Sequence, residues 1–121
     1  MTTESSVRQH SVLILETDDL IRELVTRWVT EAGHAVVAED ARAGDVSLVI
    51  VDVPYPARAE AALRQLEARY RAPVLAMSGR FRHGPAASGG VARRLGLAAV
   101  LPKPFTCEEL LSAVTQCLRS R

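Results

Sequence analysis

Apolar residues come in five short runs along the chain, each closed by polar or strand-breaking residues. The central run, Leu48-Val49-Ile50-Val51, has no polar interruption and is mostly β-branched, as expected of a strand buried on both faces. Asp52 ends it, and Pro54 and Pro56 stop further strand pairing. Residues 11–15 (Ser-Val-Leu-Ile-Leu), 35–38, 74–77 (after Pro73) and 98–101 read as the other strands. Between them the spacing turns helical. Leu20, Ile21, Leu24, Val25, Trp28 and Val29 form one such stripe, with Asp18 or Asp19 suited to its start and Gly33 to its stop. Residues 57–71 predict a helix with Ala61, Ala62, Leu66 and Tyr70 toward the sheet. Residues 80–90 are a loop or helix beginning, and 91–95 finish a short helix closed by Gly96. Thr106 and Glu109 form a capping box. The helix they open buries Leu110, Leu111, Val114 and Leu118.

Strands and helices alternate, which predicts an α/β fold with a doubly wound, five-stranded parallel sheet. One connection breaks the pattern. Only residues 39–46 join the second strand to the third, whereas a helical crossover takes about a dozen residues or more. Fully extended, they reach roughly 26 Å, enough to return along a strand but not to add a packed helix. The second helix is therefore expected to be shortened or missing, replaced by a loop of at most one turn.

Composition narrows the function. A chain of 121 residues, 48% apolar, supports one domain with a real core. Residues 1–10 read as a flexible tail and 11–121 as the domain. A formal charge of +1 singles out neither nucleic acid nor a membrane surface as partner, and no apolar run is long enough for membrane insertion. Cys107 and Cys117, ten residues apart on one helix, stand roughly 15 Å from each other, too far for a disulfide. Neither has metal-site spacing, and a cytoplasmic setting is the default. His10 and His34 read as solvated residues, and the basic loop of Arg80, Arg82 and His83 as a solvated face.

In a parallel sheet every strand ends on the same edge, where ligands bind. Glu16, Asp52, Ser78 and Lys103 each follow a strand. Two carboxylates there suit a hard cation such as Mg²⁺. A hydroxyl and an ammonium suit phosphoryl oxygens, and a carboxylate beside them can act as nucleophile. A nucleotide or flavin site is disfavoured: no glycine-rich loop follows the first strand, and Glu16 would repel phosphate.

Leu-Val-Ile-Val-Asp with Pro56 four residues after the Asp, Met-Ser-Gly after the fourth strand and Lys-Pro-Phe after the fifth resemble the receiver domain of two-component response regulators. The resemblance spans about residues 12–118. It implies a flavodoxin-like sheet of order 2-1-3-4-5, Asp52 as phosphoacceptor, Ser78 as switch hydroxyl, Gly79 as the small residue beside the phosphate and Lys103 as the phosphate-binding lysine. It implies a cis Lys103-Pro104 bond, and Mg²⁺ held by Glu16, Asp52 and the carbonyl of Pro54, with Thr17 or Asp18 as further candidates. A histidine kinase or phosphotransfer protein would donate the phosphoryl group. Since nothing follows the last helix, output would pass to a downstream protein partner or through a region outside this sequence; a homodimer belongs to the alternative reading below. The only catalysis implied is the domain's own phosphoryl transfer and dephosphorylation.

Three positions depart from the pattern. Thr17 stands where the family has a second acid, so Mg²⁺ attraction should fall. Val100 replaces the aromatic that swings with the hydroxyl. The short 39–46 link replaces a helix and should uncover sheet beneath it. These departures carry the alternative reading, a receiver-like module that binds partners without phosphorylation.

Overall fold

The computed structural model describes residues 10–119. Among them, five strands form one parallel sheet in the order β2-β1-β3-β4-β5. They are β1 (Ser11–Leu15), β2 (Ala35–Val37), β3 (Leu48–Asp52), β4 (Val74–Ser78) and β5 (Val100–Pro102). Four α-helices accompany them: α1 (Asp19–Glu31), α2 (Glu60–Tyr70), α3 (Pro85–Leu95) and α4 (Cys107–Arg119). Strand alternation divides the core in two. Val12, Ile14, Leu48, Ile50, Leu75 and Met77 meet α1 and α4 on one face. Leu13, Val49, Val53, Val74 and Ala76 meet α2 and α3 on the other. The fold class and strand order agree with the sequence reading. The tail expected over residues 1–10 lies, His10 apart, outside the described residues.

The link between β2 and β3 holds no helix. It makes two turns, closed by Ala41 N–H to the Ala38 carbonyl and Asp45 N–H to the Arg42 carbonyl, both at 3.0 Å. Tyr70, almost fully buried at the end of α2, donates its hydroxyl to the Glu39 carbonyl at 2.8 Å and pins the link. The expected uncovering is partial. Leu15, Val37, Val51 and Leu66 are half-buried against this core.

The inward face of α2 differs from the sequence reading. Ala61 and Ala62 are exposed, and Leu63 is buried in their place. Pro56–Arg58 forms a 3₁₀ turn and the α-helix starts only at Glu60. Leu63, three residues before Leu66 and seven before Tyr70, completes the sheet-facing stripe, while Ala61 and Ala62 lie to either side of it. On α1 the buried stripe is narrower than the apolar pattern: Val25 and Val29 are buried while Leu20 and Leu24 are exposed. Gly33, at φ +99°, takes the turn after α1 in a conformation that disfavours other residues. On α4 the capping box is present, with Glu109 N–H on Thr106 Oγ1 at 3.1 Å and Thr106 N–H on Glu109 Oε1 at 2.8 Å. Cys117 is buried in the core, and burial pushes its thiol up to about 11.

His10 and His34 are not plain solvated residues. Their rings lie 5.4 Å apart, and Nδ1 of His34 is buried without a hydrogen-bond partner among the described residues. The β1–β2 pairing causes this, because Ala35 N–H donates to the His10 carbonyl at 2.8 Å and brings the two side chains together. Burial first, and then the charge of His10, lowers the His34 pKa below its ordinary 6.5. A depressed histidine pKa means the folded state binds fewer protons than the unfolded one. Its stabilising contribution is full above about pH 6.5 and is lost as pH falls through the folded value. The urea midpoint should therefore drop on acidification from about pH 7.5 to 5.5, and by less in His34→Gln. Equal drops in both proteins would place the proton uptake elsewhere.

Candidate functional site

Register brings the strand-end residues together. Leu15 lies opposite Val51, so Glu16 and Asp52 leave neighbouring strands at one level. Asp52 lies opposite Met77 and Ser78 opposite Pro102, which adds Ser78 and Lys103 to the same edge. Val53 N–H on the Met77 carbonyl (2.7 Å) and Lys103 N–H on the Ser78 carbonyl (2.9 Å) carry the ladder into the loops. The Lys103-Pro104 peptide bond is cis.

Lys103 is the hub. Its Nζ donates to Glu16 Oε1 at 2.6 Å and to Asp52 Oδ1 at 2.7 Å. The side chain of Glu16 is only 2% exposed, that of Lys103 17% and that of Asp52 21%. Burial lowers the lysine pKa, but the hydrogen bonds and charges of Asp52 and Glu16 outweigh it, and the net value lies above the ordinary 10.5. Lys103 is thus a fixed cation at neutral pH. Ser78 is buried, and its Oγ accepts the Arg80 N–H at 3.1 Å. A Cβ built on Gly79 meets no atom within 4 Å, so open space adjoins the serine.

The side chains of the remaining candidates fall outside this cluster of contacts. Asp18 caps α1, its Oδ1 accepting from Leu20 N–H at 3.0 Å and Ile21 N–H at 3.1 Å. Thr17 and Pro54 are exposed. Among the described residues no three His, Cys, Asp or Glu side chains are grouped to hold a metal ion. The donor set fits Mg²⁺ poorly. Glu16 gives Oε1 to Lys103 and Oε2 to the Asp18 N–H at 3.0 Å. Val100 is buried in the core beneath α2 and α3, and a valine there has no aromatic ring to swing.

Some supporting residues escape the sequence reading. Arg22 donates to the Glu16 carbonyl at 3.0 Å and pairs with Asp19 at 2.6 Å, bracing the loop that carries Glu16. Its place one turn into α1, three residues past Asp19, was the only available signal. His83 meets the Pro104 carbonyl at 2.9 Å and joins the loop before α3 to the Lys-Pro-Phe turn. Phe105 of that turn stands edge-on to Trp28, centroids 6.3 Å apart.

Fold and site together define a flavodoxin-like α/β domain with an acid–lysine cluster at the carboxyl edge of its sheet. Solved structures of the same shape are receiver domains. A response regulator from Thermotoga maritima superposes with a TM-score of 0.69 at 16% identity, covering 93% of this chain and 99% of that one. The chemotaxis response regulator CheY4 of Vibrio cholerae gives 0.67 at 21%, covering 92% and 100%. The signal receiver domain of NarL from Mycobacterium tuberculosis gives 0.64 at 24%, covering 94% and 99%. The chain has the receiver-domain fold. No protein-family model and no curated protein sequence matches it. No described helix is long and apolar enough to cross a membrane.

Proposed function

We propose that the chain is a signalling receiver whose Asp52 accepts a phosphoryl group from a histidine-phosphorylated protein in the cytoplasm. The observation that carries this reading is the bond from Lys103 Nζ to Asp52 at 2.7 Å while the Lys103 main chain is tied to Ser78. Acceptor, counter-charge and hydroxyl, from three separate strand ends, share one edge. In the transfer, an Asp52 carboxylate oxygen forms a bond to phosphorus as the donor's N–P bond breaks. The released electron pair stays on the imidazole nitrogen, which takes a proton from solvent. Lys103 offsets charge on the phosphoryl oxygens, and the Ser78 hydroxyl, whose oxygen accepts the Arg80 N–H, donates its own proton to one of them. Water later cleaves the acyl phosphate to inorganic phosphate and restores Asp52. The added charge alters the surface read by a downstream protein.

Intact mass after incubation with acetyl phosphate tests this, with MgCl₂ in one arm and EDTA in the other. The expected result is a gain of one phosphoryl group that Asp52→Asn abolishes without loss of fold. No gain from acetyl phosphate or phosphoramidate in either arm counts against it.

A specific observation favours the second reading, a module that binds partners without phosphorylation. Beside Asp52 an apolar cleft of about 250 Å³, lined by Val51, Tyr55, Leu63 and Leu66, opens between the end of β3 and the start of α2. Under that reading Asp52→Asn leaves partner binding unchanged.

A further inference from the structure

The poor fit to Mg²⁺ has a positive counterpart, because a cation already stands between the two carboxylates. Lys103 Nζ bridges Glu16 Oε1 and Asp52 Oδ1 at 2.6 and 2.7 Å. The second Glu16 oxygen is taken by the Asp18 N–H. Of the two pocket carboxylates, only Asp52 keeps an oxygen outside the hydrogen bonds found among the described residues. Thr17 brings no charge, and the Asp18 carboxylate faces the start of α1.

Charge balance points the same way. Two carboxylates and one ammonium leave a net charge of about −1 at the site, whereas an acid in place of Thr17 would leave about −2, a balance that a dication answers. Mg²⁺ also requires near-octahedral oxygen ligands at about 2.1 Å and gives up its waters reluctantly. To enter here it would have to expel a tethered ammonium or lie beside it at strong repulsion.

We infer that Lys103 is the resident cation of this site, and that the acidic cluster, partly neutralised from within, takes no divalent metal at cellular concentrations. This rests on the receiver reading of the same residues and adds that any phosphoryl transfer to Asp52 proceeds with lysine as its counter-charge. In the acetyl phosphate experiment the EDTA arm should then label as well as the MgCl₂ arm.

The direct test is metal binding, which is read separately from phosphorylation. The full chain is titrated with MgCl₂ alone to about 10 mM, following amide shifts near positions 16, 52 and 103 and the melting temperature. The wild type should show no saturable shift and no stabilisation. Lys103→Met, which removes the internal cation, should gain saturable Mg²⁺ binding at least about tenfold tighter than wild type, and Mg²⁺ should raise its melting temperature. Lys103→Arg keeps a cation and should remain indifferent to Mg²⁺. Thr17→Asp should also gain binding by restoring the missing charge. Saturable wild-type binding below about 1 mM overturns the inference while leaving phosphoryl acceptance intact. A folded Lys103→Met as indifferent to Mg²⁺ as wild type also overturns it. If that variant does not fold, the wild-type titration still decides the matter. Failure of labelling in both arms, with no wild-type Mg²⁺ binding, rejects the phosphoacceptor reading and leaves the metal-free site standing.

Discussion

Tyr70→Ala should lower the unfolding free energy by about 3–5 kcal/mol, while Tyr70→Phe should cost only about 1 kcal/mol. The ring is 2% exposed and packs in the core beside Leu63 and Val49. Removing it creates a cavity that the sheet cannot close, because its neighbours are held by strand pairing. The hydroxyl has a different job. It is bonded to the Glu39 carbonyl across the 38–47 link, where a second helix would otherwise give cover. Glu39 is exposed, so its carbonyl can turn to water when the bond is lost, which keeps the Phe cost small. The Phe variant should instead loosen the link. Hydrogen exchange at Ala41 and Asp45, whose N–H groups close the two turns, should quicken relative to amides in β3. Unchanged exchange in Tyr70→Phe would mean that Ala41 and Val46, packed against the core, hold the link without the hydroxyl.

The missing helix was legible because it is a matter of chain length: residues 39–46 cannot both return along a strand and coil. The site was legible for a related reason. In a parallel sheet each strand's polar successor arrives at the same edge, so Glu16, Asp52, Ser78 and Lys103 could be placed together without knowing any side-chain direction. What the sequence did not show depends on phase or on distant pairing. Whether Ala62 or Leu63 faces inward is a matter of about 100° on the helix, and both 62-66-70 and 63-66-70 are helical stripes, so spacing alone does not choose between them. The meeting of His10 and His34 follows from strand register, which no local pattern encodes. The bridging of two carboxylates by one ammonium depends on the reach and burial of Lys103, and Glu16 loses its second oxygen to an amide two residues along its own chain. Residue types announced an acidic pocket; they did not announce that one ammonium stands between its two carboxylates.

That bridge predicts a large and non-additive stability effect. Lys103→Met should destabilise the fold by about 3–5 kcal/mol, because it leaves the nearly inaccessible Glu16 carboxylate without a counter-charge beside a second carboxylate. Glu16→Gln should cost less, since Asp52 still pairs with the lysine. The double variant Glu16→Gln/Lys103→Met should be more stable than Lys103→Met alone, because the buried charge that lacked a partner is gone. A urea double-mutant cycle measures this coupling, and additive losses would show that Glu16 and Lys103 act independently. The pH dependence has a definite sign. Lys103 holds a raised pKa in the folded state, so its contribution is complete below the ordinary value of 10.5 and disappears as pH rises through the folded one. The gap between wild type and Lys103→Met should therefore stay constant from about pH 8 to 10 and narrow only above that. A gap that closes already near neutrality would mean that the ammonium is not the group holding Glu16 and Asp52 together.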